Sequence, residues 1–189
     1  MVISHRYKFI FVAVPKTAST SIHNYLLKHD PNCRYIYENG PTGEERLQKH
    51  STALEALCHF PKDYFSFCFV RNPWNRAASY HEMLNRKNDI RDFEHFVKSP
   101  AARSQSHWCC NNKGDVMVDY IGKYENLNQD FFEVCDIVGL SKEGLGHWMN
   151  NHVPDYSNKF TKKSIKAVAE SCKWEINKFD YKPPTVKDV

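Results

Sequence analysis

Six consecutive apolar residues, Phe9-Ile10-Phe11-Val12-Ala13-Val14, run straight into Pro15. A run with no polar alternation has no solvent face, so it suits a strand buried on both sides, as parallel strands are. Proline then removes the next ladder donor and closes the strand. Lys16-Thr17-Ala18-Ser19-Thr20-Ser21 comes next, followed at once by helical spacing that places Ile22, Tyr25, Leu26 and His29 on one face, up to Asp30-Pro31. The pattern predicts a strand over 8–14 and a helix over 19–29. A second junction of this kind follows, with a strand over 64–70, the turn Arg71-Asn72-Pro73, and a helix over 74–85 whose first turn Pro73 suits.

The rest of the chain repeats the alternation. A third strand is predicted over 118–124 and a short one over 34–37. Helices are predicted over 51–57, 92–98, 128–138 and 163–173, with a surface loop over 38–44 and irregular chain over 100–116. Strands alternating with helices imply an α/β fold, a single domain over 1–189 with a central parallel sheet flanked by helices. Such sheets bind ligands beyond the carboxyl ends of their strands, which directs attention to the residues after Val14 and Val70.

Composition narrows the function classes. With 41% hydrophobic and 25% charged residues in 189, the chain can bury a real core and is not a disordered segment. No apolar run approaches the roughly 20 residues that span a bilayer. Arg6 and Lys8 before the first run make only an incomplete signal peptide, because Pro15-Lys16 ends the run too soon. The cysteine count is odd, at 7, with no C-x-x-C pair, so reduced thiols and no metal site are expected, and with neither a spanning run nor a complete signal peptide a cytoplasmic location without a membrane anchor is expected. A net charge of +4 does not demand nucleic acid, and none is expected as a partner. It suits a small anionic ligand where positive residues converge.

Both junctions offer such convergence. A helix start presents unpaired N–H groups and the positive end of its dipole, which together bind phosphate or sulfate. Lys16 adds a full charge, and Thr17, Ser19, Thr20 and Ser21 add hydroxyls, where an ordinary helix cap needs only one. The loop lacks the glycines and terminal lysine of a GxxxxGK[ST] loop, which disfavours nucleoside triphosphate hydrolysis. At the second junction Arg71 leaves the strand end, where a guanidinium can grip phosphate through two N–H bonds. Ser79 lies eight residues on, about two helical turns, and can face the same side. The plainer alternative is a structural arginine and a surface serine.

Taken together, a strand ending in PKTASTS and a later strand ending in FVRNPWNR with Ser79 beyond it resemble the two cofactor motifs of the sulfotransferases, enzymes that use 3′-phosphoadenosine 5′-phosphosulfate (PAPS). The segments KHSTALEAL (49–57) and VDYIGKYENLNQDFFEVCDIVGL (118–140) are similar to the carbohydrate branch that includes heparan and chondroitin enzymes. The resemblance implies a P-loop-like sulfotransferase fold. It assigns Pro15, Lys16, Thr17, Ala18, Ser19, Thr20 and Ser21 to the 5′-phosphosulfate, and Arg71 and Ser79 to the 3′-phosphate of PAPS and of its product PAP. Ala18 stands where glycine is common and Lys123 where arginine is usual. The stretch 86–110 matches poorly, and acceptor specificity is expected there.

Sulfuryl transfer needs a leaving phosphate neutralised, for which Lys16 and the following helix start are placed, and an acceptor hydroxyl deprotonated. Histidine suits the second task near neutral pH. His50 matches the family's histidine before the second strand and is the expected base, with Glu55 to orient it and His23, His59, His81 and His107 as alternatives. Trp74 and Tyr80 could stack on adenine, although aromatics there are more often core. Lys159, Lys162 and Lys163 form a late basic cluster that is more often a solvated helix start. The acceptor is expected to be a small molecule or a glycan. Two competing classes remain, a kinase-like phosphotransferase and a non-catalytic anion- or glycan-binding module.

Overall fold

The computed structural model describes residues 1–35, 49–57, 61–87, 92–142 and 155–185. The predicted loop over 38–44, the end of the predicted strand over 34–37 and the alternative base His59 lie outside the described residues. The chain divides into two compact units, 1–70 with 106–151 and 71–105 with 152–189.

The first unit is built on the apolar run. Its centre forms β2 (Phe9–Val12), every residue of which is buried. Phe9 and Phe11 face a cluster that includes Ile22, Tyr25, Leu26, Phe67, Phe69 and Phe131, while Ile10 and Val12 are buried on the opposite face. Both faces are therefore dry, as an unbroken apolar run requires. Before it lies β1 (Val2–Ser4), and α1 (Ser19–His29), β3 (Arg34–Tyr35), α2 (Ala53–Leu57), β4 (Phe65–Val70), α5 (Ser106–Cys109), β5 (Tyr120–Lys123) and α6 (Leu127–Val138) complete the unit. The strands form one sheet in the order β3-β1-β2-β4-β5. β2, β4 and β5 run parallel, as expected. The sheet as a whole is mixed, because β1 pairs antiparallel with both β2 and β3. The three-residue β1 is too short to register as a periodic pattern, and it folds back on β2 through a tight turn in which Lys8 takes φ 50°.

Aromatic rings knit β2 to β4, with Phe11 stacked on Phe67 at 5.1 Å between centroids. Gly122 of β5 sits opposite Phe69 of β4. A Cβ built there would meet the Phe69 ring at 2.3 Å, so only glycine lets the ring lie across the strand. The predicted strand over 118–124 shortens to β5 at its start because Asp119 turns back, accepting from Ser66 N–H at 2.8 Å and Ser66 Oγ–H at 2.6 Å.

The second unit is helical. It contains α3 (Pro73–Asn85), α4 (Phe93–Val97), a 3-10 turn at Pro100–Ala102, α7 (Lys162–Ser171) and α8 (Lys173–Phe179). Trp74, Ala77, Phe96, Tyr156, Val168 and Cys172 share its core. Trp74 is fully packed and donates Nε1–H to Ile165 O at 3.2 Å, so the core reading of this aromatic holds. Helix α7 stops at Ser171 rather than running to Lys173, and α8 follows directly after the break at Cys172. The predicted irregular stretch over 100–116 contains the 3-10 turn and the short α5. Among the described residues no helix is long and apolar enough to cross a membrane.

Candidate functional site

The two strand–helix junctions take different forms. After β2, the loop places Lys16 at φ 68° and Ala18 at φ 65°, both in the left-handed region that favours glycine. Glycine, which the resemblance makes common at position 18, would take this conformation without the Cβ strain that Ala18 bears. Thr17 between them is buried, and its hydroxyl donates to Val14 O at 3.0 Å, locking the loop against the strand end. The Thr17 hydroxyl proton therefore serves the loop itself, which leaves its backbone N–H as the donor it can offer. Ala18 is the N-cap of α1, and no side chain caps that helix. The hydroxyls of Ser19, Thr20 and Ser21 are not spent on capping. Left-handed residues before an uncapped helix start are a backbone arrangement that can turn N–H groups toward an anion. Lys16 is half-buried in that loop.

Such a loop is strained. Two L-residues in the left-handed region cost about 2–4 kcal/mol together. Helix α1 holds them in place by burying Ile22, Tyr25 and Leu26 against the sheet, which is worth about 4–9 kcal/mol. Docking of the helix therefore outweighs the strain.

His50 lies in the same unit. Its Nδ1–H donates to Ala13 O, two residues before Pro15, at 2.6 Å. A carbonyl only accepts, so this bond fixes the tautomer: Nδ1 carries the hydrogen and Nε2 of the neutral ring holds a lone pair. Trp108 of α5 donates Nε1–H to His50 O at 3.0 Å and fixes the backbone beneath the ring. Burial pushes the His50 pKa below the ordinary histidine value, helped by the charge of Lys49 and opposed by the bond to Ala13. Glu55 does not orient His50. Its carboxylate accepts from Thr52 N–H at 2.6 Å and Thr52 Oγ–H at 3.0 Å at the start of α2. The orienting group is a backbone carbonyl, which no side-chain motif could reveal. Among the alternatives in this unit, His23 is buried with its pKa lowered to about 4, chiefly by burial, and His107 is exposed on α5.

The second junction belongs to the second unit and is closed. Asn72 caps α3, its Oδ1 accepting from Trp74 N–H at 3.1 Å and Asn75 N–H at 3.2 Å. The helix start is thus spent internally, and whatever this junction offers a ligand comes from side chains. Arg71 is buried and Ser79 is half-buried on α3. The main chain of Arg71 is gripped by the Gln105 amide, which accepts from Arg71 N–H at 2.9 Å and donates to Arg71 O at 2.7 Å. Arg76, the second arginine of the motif, is fully buried and donates to Ala102 O and Arg103 O. His81 packs edge-on against Phe93 as a core residue. Lys159 is taken up by Glu82 at 3.3 Å. Sequence reasoning missed Gln105, which sits in the stretch assigned to acceptor specificity. Its amide pairs with backbone, and that role leaves no spacing signal.

Comparison with known proteins agrees with this architecture. The model of the sulfotransferase family matches residues 1–182, and the chain belongs to that family. Its chemistry is sulfuryl transfer, and the α/β fold with parallel β2, β4 and β5 is consistent with it. An uncharacterized protein of Archaeoglobus fulgidus is 37% identical over 86 residues, covering 42% of this chain and 72% of its own length. No solved structure matches the chain.

Proposed function

We propose that this sulfotransferase, with 1–189 acting as one catalytic domain, moves a sulfuryl group from PAPS to an acceptor hydroxyl, most simply of a carbohydrate, with His50 as the base. The observation that carries the reading is the His50–Ala13 bond of 2.6 Å, which ties a correctly tautomerised histidine to the strand that ends in the anion-binding loop. The residues suit the donor. The uncapped start of α1, the N–H groups of the left-handed loop, the hydroxyls of Ser19, Thr20 and Ser21, and Lys16 are assigned to the 5′-phosphosulfate. Arg71 and Ser79 of the second unit are assigned to the 3′-phosphate. PAPS supplies the sulfuryl group and a phosphate leaving group. Lys16 neutralises charge that grows as the leaving group departs. Nε2 of His50 takes the acceptor proton, and the Nδ1–H bond to Ala13 O strengthens as the ring becomes cationic. Six free, buried cysteines among the described residues support a reducing, cytoplasmic setting.

Calorimetry with PAP and with ATP plus magnesium tests the donor. PAP is expected to bind at least about tenfold more tightly, because a 3′-phosphate gains charge-assisted bonds that ATP lacks. Equal affinities would refute the assignment and reopen the kinase-like alternative.

A further inference from the structure

Gln105 and Glu175 are completely buried polar residues that sulfuryl transfer does not call on directly. Arg71 is the first residue beyond β4, where the sheet no longer supplies ladder partners and buried main-chain groups need others. The Gln105 side chain acts as that partner. A primary amide is the neutral group able to accept from an N–H and donate to a C=O of the same residue at once. Its orientation is fixed in turn by Glu175 of α8, whose Oε1 accepts from Gln105 N–H at 3.0 Å and from Gln105 Nε2–H at 3.2 Å. Glu175 Oε2 accepts from Ser104 Oγ–H at 2.6 Å. Arg76 holds the preceding turn through Ala102 O and Arg103 O. A continuous chain of bonds therefore runs from α8 through residues 102–105 to the backbone of Arg71, all within the second unit.

We infer that Gln105 and Glu175 are positioning residues that aim the Arg71 guanidinium and so set the enzyme's preference for a 3′-phosphorylated donor. The inference rests on the proposed assignment of Arg71 to the 3′-phosphate. A bidentate phosphate grip depends on where the guanidinium fork lies, and the fork inherits the position of the Arg71 backbone.

The test compares PAP with adenosine 5′-phosphate, which differ by the 3′-phosphate alone, by calorimetry on the full chain. Arg71→Ala should collapse the affinity ratio between the two. Gln105→Met keeps bulk and leaves Glu175 with its Gln105 N–H and Ser104 partners. It should lower the ratio roughly 10- to 100-fold, the range expected for mispositioned hydrogen bonds to a charged group. Affinity for adenosine 5′-phosphate should stay within about threefold, which a general loss of structure would not allow. If Gln105→Met does not fold, Glu175→Gln carries the test through a smaller fall in the same ratio. A folded Gln105→Met or Glu175→Gln protein with an unchanged ratio, beside a collapsed ratio in Arg71→Ala, overturns the positioning role. An unchanged ratio in Arg71→Ala overturns the assignment of Arg71 itself, and the positioning role with it.

Discussion

Replacing Ala18 by glycine should act opposite to the same replacement in a helix. Ala18 sits at φ 65°, ψ 20°, where the Cβ of an L-residue costs about 1–2 kcal/mol that glycine does not incur. Glycine also loosens the unfolded chain and forfeits part of a methyl's packing, so Ala18→Gly alone should change stability by about 0–1 kcal/mol in the favourable direction. The informative quantity is the difference from Ala167→Gly in α7, a right-handed helical site where glycine costs about 1 kcal/mol. Both variants carry the same unfolded-chain entropy, so their difference isolates the backbone strain of the loop. It should amount to about 1–2 kcal/mol. For a chain of this size that is a gap of about 2–8 °C in Tm, with Ala18→Gly the more stable. Thermal unfolding by circular dichroism at matched pH reads it directly, and turnover of Ala18→Gly should be retained. Equal losses of Tm in the two variants would refute the claim that the loop holds Ala18 in a strained conformation.

The acid limb of kcat/KM for the donor should have its midpoint below the ordinary histidine value of about 6.5, because burial favours neutral His50 in the free enzyme and the base works unprotonated. Activity then falls only when pH drops through that lowered pKa, the limb in kcat should lie higher because bound phosphate favours the imidazolium, and His50→Gln should remove both; a midpoint above 6.5 in kcat/KM would contradict the burial argument. Lys16→Ala should lower kcat by on the order of 100- to 1,000-fold with a much smaller change in PAP affinity, since both residues are L and the strained φ of 68° is unchanged. Turnover within threefold of wild type in a stopped assay would remove Lys16 from the mechanism.

Much of this architecture is legible in the order of residues, and the parts that are not share a cause. The span of α1 matches its predicted span, because Ile22, Tyr25 and Leu26 repeat at helical spacing between a proline-closed strand and Asp30-Pro31. The strands β2 and β4 shrink by a residue or two at their ends, where pairing rather than hydrophobicity decides. β1 escapes because three residues carry no period, and with it goes the mixed character of the sheet. At the site, Lys16 and His50 can be picked out by residue type. The bond from His50 to Ala13 O, the Thr17 bond to Val14 O and the Gln105 grip on Arg71 cannot, because each has a backbone atom at one end. A backbone carbonyl is available from any amino acid, so nothing in the sequence marks the one that is used.

The same distinction separates the two junctions, which look alike as strings. After β2 the helix start is left uncapped and the chain is strained around it, so on the proposed assignment it is the backbone N–H groups that meet the anion, in a loop shaped by Thr17 and Ala18. After β4 the helix start is capped by Asn72, and the Arg71 main chain is held by Gln105, so on the proposed assignment recognition falls to the Arg71 guanidinium and the Ser79 hydroxyl. Anion binding by backbone tolerates side-chain exchange wherever φ is preserved. Binding by an aimed guanidinium does not, because lysine offers neither the fork nor its fixed plane. Substitution should therefore be forgiving at Ser19, Thr20 and Ser21 taken singly and severe at Arg71, even though both junctions are assigned to the same donor.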